Sequence, residues 1–141
     1  MAEFANNALQ TVLPNNPAEL TTVIPCNKGY VVHREGSGIL TLRSPGPNCL
    51  AQYLVLFNAN IALSEGATVG PISIALTIDG EILKTSTATV TPAAVGDFFN
   101  VSFSEIIQIP KGCCNNVSVE NITANTSIDI QNSNLIVRRI A

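Results

Sequence analysis

Apolar and polar residues alternate with a period of two along most of the chain beyond residue 30, a spacing that predicts strands rather than helices. The clearest run is "LAQYLVLFNANIAL". It sets Leu50, Gln52, Leu54, Leu56, Asn58 and Asn60 on one side and Ala51, Tyr53, Val55, Phe57, Ala59 and Ile61 on the other, and the second set is the expected core face. Before it, "YVVHRE" and "GILTLR" flank Gly36-Ser37-Gly38, which suits a hairpin or a bulged corner. After it, "ISIALTI" meets Asp79-Gly80 and continues as "EILKTSTATV". An Asp-Gly pair between two such runs is a strong hairpin signal, because a type I′ turn needs positive φ at both central residues. Then come "FFNVSFSEIIQIP", a turn at Lys111-Gly112, "CNNVSVENIT" and "IDIQNSNLIVRRIA". Roughly eight to ten strands of Val, Ile, Thr and Phe, divided by Gly, Pro, Asn and Asp, predict an all-β jelly-roll sandwich.

Residues 1–25 break the pattern. Pro14, Pro17 and Pro25 oppose both a continuous helix and a central strand, and the only apolar alternation runs from Leu20 to Ile24. The expected organisation is therefore an extended N-terminal arm, residues 1–25, followed by a jelly-roll domain, residues 26–141. Phe4, Leu9, Val12 and Leu13 are the anchoring residues of such an arm. Either they dock on a neighbouring surface or the terminus frays.

A length of 141 residues fits one domain. Charged residues are only 12% of the chain and apolar ones 46%, which leaves little charge to solvate a monomer. That favours burial of part of the surface against other subunits, the alternative being a monomer with a neutral Asn/Ser/Thr surface. The net charge of −3, with only seven Lys and Arg, excludes the basic footprint that nucleic acid demands. Asn58 and Asn60 interrupt the longest apolar run, so no membrane insertion is expected. The segment "MAEFANNALQ" has neither a basic nor an apolar signal region, and synthesis in the cytosol is the expectation.

Chemistry is sparse. His33 is the only histidine, so any Ser-His or Cys-His pair would have to use it, and its place in "VVHRE" reads as an ordinary strand residue. Cys26, Cys49, Cys113 and Cys114 lack Cys-x-x-Cys spacing, and adjacent ligands fit a tetrahedral zinc site poorly. Disulfides tying the early strands to the sandwich and plain buried thiols both remain open for these four. The carboxylates, among them Asp79, Asp97, Glu105 and Asp129, are scattered, with no pair for glycoside hydrolysis and no calcium loop. The Asn-x-Ser/Thr matches at Asn100, Asn116, Asn121 and Asn125 follow from an Asn/Ser/Thr-rich composition. No enzyme activity and no cofactor are expected.

The stretches "GPISIALTIDGEILKTSTATVTP", "NVSFSEIIQIPKGCCNNVSVEN" and "NSNLIVRRIA" resemble the C1q/TNF-like jelly rolls that cap bacterial collagen-like surface proteins. The likeness covers about residues 50 to 141, and the chain departs from that family in having no Gly-X-Y stalk. With its short "MAEFANNALQTV" segment the chain also resembles small phage and prophage structural proteins. The resemblance implies a homotrimer serving as a virion decoration or head-fibre module, made in the host cytoplasm, carried on the virion surface and held to a capsid protein by the arm. The second reading is a bacterial cell-surface or spore-surface module whose loops at 44–48, 64–70 and 91–97 grip a glycan or protein. Subunit-contact candidates are Tyr53, Phe98, Phe99, Leu135 and Val137.

Overall fold

Strands of the computed structural model follow the period-two runs; it describes residues 2–24, 31–33, 37–44, 51–110 and 114–140. These residues form β1 (Ala2–Asn6), β2 (Gln10–Val12), β3 (Thr22–Ile24), β4 (Val31–His33), β5 (Leu40–Arg43) and β6 (Ala51–Leu63). They continue as β7 (Ile72–Ile78), β8 (Glu81–Ile82), β9 (Ala88–Val90), β10 (Phe99–Ile109), β11 (Cys114–Asn121) and β12 (Ile128–Arg139). One sheet has the order β10-β6-β12-β1-β3, with β2 also paired to β12. The other has the order β4-β5-β11-β7-β8, with β9 paired to β7. All pairings are antiparallel. The two sheets close on one core, the jelly-roll sandwich expected from the alternation.

The core is aliphatic, with Tyr53, Phe4 and Phe57 as its largest fully or almost fully buried side chains. Ala51, Tyr53, Val55, Phe57, Ala59 and Ile61 all point into it, as the alternation in β6 requires. The Asp79-Gly80 turn has φ of 50° and 86°, the positive pair of a type I′ hairpin, between the Ile78–Glu81 partners. The run after it is not one strand. It divides into β8, a 3-10 turn at Lys84–Ser86, and β9. Ser86 Oγ donates to the Leu83 carbonyl at 2.6 Å and accepts from the Leu76 N–H at 2.8 Å. That turn thereby folds back on β7 instead of extending away from it.

The N-terminal segment is not an arm. β1 lies between β12 and β3, pairing Ala2–Asn6 with Ser133–Val137. Phe4 and Val12 are buried in the core of their own chain, so neither can anchor to a neighbour. The physical reason is that β12 would otherwise be an open edge with unpaired backbone groups beside an apolar row. Pro14 and Pro17 sit in the link between β2 and β3, where they cost no ladder bond, and Pro25 lies outside the described residues. Asn121, fully buried, secures this segment. Its Nδ2 donates to the carbonyls of Val12 (3.1 Å) and Thr126 (2.8 Å), and its Oδ1 accepts from the Thr123 N–H. Backbone bonds from Asn15 to Asn121 and from Ala18 to Val119 continue the attachment along β11.

Close approach dictates one glycine. A Cβ on Gly38 would lie 2.4 Å from the Ala18 carbonyl oxygen and 2.8 Å from Pro17 Cβ. The backbone of residues 17–18 could not then lie against the turn before β5.

Three substitutions test this account. Phe4→Ala should cost about 3–5 kcal/mol in chemical unfolding, the loss expected for a fully buried aromatic. Leu9→Ala, at an exposed position, should change stability by no more than about 0.5 kcal/mol. Equal, small effects at both positions would restore the arm. Gly38→Ala should cost about 1–3 kcal/mol by overpacking against the Pro17-Ala18 backbone, read as a lowered denaturant midpoint at constant slope.

Candidate functional site

A bulge in β12 decides which residues face outward from the first sheet. Before it, Ile128 and Ile130 point inward; after it, Ser133, Leu135 and Val137 do. The register shifts between Gln131 and Asn134, with Asn132 in the left-handed region at φ 54°. Unbroken alternation from Ile128 would have turned Leu135 and Val137 outward. The extra residue returns them to the core, and they cannot be subunit contacts. Tyr53 is excluded for the same reason: it is wholly buried, with its hydroxyl donating to the Arg43 carbonyl at 2.6 Å. Phe98 and Phe99 are exposed at the entry to β10, and Leu9 (58%) and Leu13 (55%) are exposed in the N-terminal segment.

The opposite register supplies a different surface. On the outer face Ile106 stands opposite Leu54, and Leu54 opposite Arg138. In the next row Ser104, Leu56, Ile136 and Glu3 lie side by side across β10, β6, β12 and β1. Beyond it come Ser102, Asn58, Asn134 and Ala5, and then Asn100, Asn60 and Gln131. Ile106 is 58% exposed and Leu56 37%. Leu56, Asn58, Ser102, Ser104, Asn134 and Ile136 line a shallow depression of about 640 Å³ on this face.

This surface is apolar toward one end and neutral-polar toward the other. Its charges, Glu3 and Arg138, stand at the margin. Asn100 Nδ2 donates to Asn58 Oδ1 at 2.7 Å and to Asn60 Oδ1 at 3.1 Å, which joins two strands by their side chains. Asn134 Nδ2 donates to the Glu3 carboxylate. Hydroxyls, amides and methyl groups make up the rest of the face. Leu54 and Leu56 carried the signal in the sequence: "YLVLF" is apolar on both faces, the mark of a strand buried on both sides.

The remaining expected positions fall elsewhere. Cys26, Cys49 and Cys113 lie outside the described residues; Cys114 is exposed at the start of β11, opposite Arg43. His33 pairs with Leu40 in β4. The loops at 64–70 and 91–97 share one end of the sandwich, where the Gly96 N–H meets the Leu63 carbonyl at 3.3 Å. Ser44 starts the third loop at the other end, beyond the Arg43–Tyr53 bond, and residues 45–48 lie outside the described set. Asp79 Oδ1 accepts from the Asn116 N–H at 2.8 Å, and Asp129 Oδ1 accepts from Thr11 and Ser64 hydroxyls, both structural uses. Among the described residues no group of three or more His, Cys, Asp and Glu is placed to hold a metal ion.

No family model and no curated protein matches this chain. Among solved structures it is similar to the Eiger TNF of S. frugiperda, with a TM-score of 0.67 and 14% identity, covering 99% of this chain and 91% of that one. It is also similar to the globular domain of zebrafish complement 1qA protein, with a TM-score of 0.58 and 13% identity over 96% and 94% of the two chains. The fold is thus a C1q/TNF-like jelly roll, the fold that the sequence resemblance implied.

Among the described residues one titratable group is perturbed. Glu120, on β11 opposite Ala75 and bridged to Pro17, has its carboxyl pushed above the ordinary range by burial. A raised carboxyl pKa gives stability that is present at acid pH and lost as pH rises through the folded-state value. Glu120→Gln should therefore melt at a higher temperature than wild type at neutral pH. The difference should vanish below the ordinary carboxylate range. A variant less stable than wild type at pH 7 would show that the carboxylate has a favourable partner instead.

Proposed function

We propose that this chain is a non-catalytic structural or binding module that acts as a homotrimer, assembled through the outer face of the β10-β6-β12-β1-β3 sheet. The observation that carries the reading is the exposure of Leu56 and Ile106, beside Leu54 and Ile136, in two adjoining rows whose charges, Glu3 and Arg138, stand at the ends. A contiguous apolar strip on a sheet face costs solvation unless covered, and a second copy is the covering surface that fits it best. The face brings both donors and acceptors, in its Asn and Ser side chains, and carries one cation and one anion, Arg138 and Glu3, at its margin. It is therefore complementary to another copy of itself in charge and in hydrogen bonding. In a ring around a three-fold axis this face of each copy turns toward the axis, where the other two copies cover it.

The proposed setting is a virion surface, as a decoration or head-fibre module bound to a capsid protein; its support is the resemblance of the chain, with its short "MAEFANNALQTV" segment, to small phage and prophage structural proteins. Phe4 and Val12 are withdrawn from anchoring, which leaves Leu9 and Leu13 as the exposed apolar contacts of the N-terminal segment. The loops at 64–70 and 91–97, with Phe98 and Phe99 beside them, then form the end that meets a glycan or protein ligand. The same geometry serves a bacterial cell or spore surface.

Light scattering on a sizing column should give the mass of three chains for wild type. Ile106→Lys and Leu56→Lys should each run as monomers, with strand content by circular dichroism unchanged, because a lysine on the outer face is solvated in the free subunit. Monomeric wild type across a wide concentration range, or trimeric lysine variants, would refute this contact face.

A further inference from the structure

Half of the proposed contact face is apolar, and that half alone does not fix how two copies meet. Methyl groups of Leu54, Leu56, Ile106 and Ile136 slide over one another at little cost, so several registers would bury them almost equally. The other half consists of amides that are not free to slide. Asn100 spends its Nδ2 on the carbonyl oxygens of both Asn58 and Asn60, and this holds the three side chains in one orientation. Among the described residues, the Nδ2 groups of Asn58 and Asn60 donate to nothing, and the Oδ1 of Asn100 accepts from nothing. Asn134, two strands from Asn100, gives its Nδ2 to Glu3 and leaves its own Oδ1 open. A pre-oriented set of donors and acceptors therefore projects from the sheet with its own side-chain bonds already made.

We propose that this amide cluster, Asn58, Asn60, Asn100 and Asn134, is the register lock of the trimer. Resting on the assembly reading above, the inference assigns the partner of these groups as the same cluster, or the adjoining Ser102 and Ser104 hydroxyls, on the neighbouring copy. An amide buried without a partner loses its hydrogen bonds to water and gains none, so any register that covers these groups without pairing them is penalised at each subunit contact. The cluster adds little net affinity, since water serves the amides equally well in the free subunit. What it adds is discrimination among arrangements that the apolar half treats alike, as a single buried Asn does in selecting the oligomer state of a coiled coil.

The test replaces the amides while keeping the apolar half intact. For the double variant Asn58→Leu/Asn60→Leu, sedimentation velocity should show a spread of masses where wild type shows one species of three chains. The melting temperature should be equal or higher. Asn100→Asp is a second, nearly isosteric variant that does not depend on the first one folding well. It should form trimers at pH about 4 and lose them by pH about 8, because an ionised carboxylate would have to give up its water inside a closed contact that supplies no cation, and the three amides would lose the orientation that the Asn100 donor fixes. A single three-chain species for the double variant, or an Asp variant whose mass is independent of pH, would overturn the register lock while leaving the trimer standing. Monomeric wild type would overturn the trimer, and the lock with it.

Discussion

The long antiparallel pairing of β12 with β6, interrupted once by the bulge at Asn132, governs most of what this chain presents to its surroundings. β12 has partners on both sides: β6 along one edge, β1 and β2 along the other. Its inward residues, Ile128, Ile130, Leu135 and Val137, come from both parities of the sequence, and only an inserted residue reconciles them. Without that insertion half of the strand would carry polar groups inward and apolar groups outward, and the first sheet would lose its place on the second. An asparagine tolerates the left-handed backbone the bulge requires better than a β-branched residue would. The buried Ser133 beside it donates to the Asn6 carbonyl, so the irregularity itself is tied to β1. A defect in one ladder thus sets the facing of the whole outer surface.

That dependence explains which parts of the molecule were legible in the sequence. β6 has thirteen residues and no bulge, so strict alternation named its core face correctly. The Asp-Gly hairpin was legible because the requirement for positive φ is local. By contrast, the facing of Leu135 and Val137 depends on one asparagine in "QNSN", where nothing in the spacing distinguishes it from its neighbours. The N-terminal strands were hidden for another reason. "AEFAN" contains a single large apolar residue, and its strand exists because β12 needs an edge partner more than a hundred residues away. Local propensity does not report such a debt.

The apolar strip on the outer face was half legible. Leu54 and Leu56 interrupt the polar side of β6, and Ile106 does the same in β10, yet these residues matter only when the register places them in adjoining rows. Tyr53 attracted attention as an aromatic, but its hydroxyl has a carbonyl partner inside the sandwich and its ring fills the core. Side-chain size does not report which way a residue faces; parity along β6 does, with Tyr53 inward and Leu54 and Leu56 outward.

The pairing of Ala2 with Val137 brings the two ends of the described chain side by side, at the pole where the Ile140 N–H also meets the Gln52 carbonyl. The loops at 64–70 and 91–97 occupy the far pole, some thirteen residues of β6 away. The module therefore has a direction, like a bulb on a fitting. Anything joined covalently to either end emerges from the same side, and a single attachment leaves the opposite pole unobstructed whichever end is used.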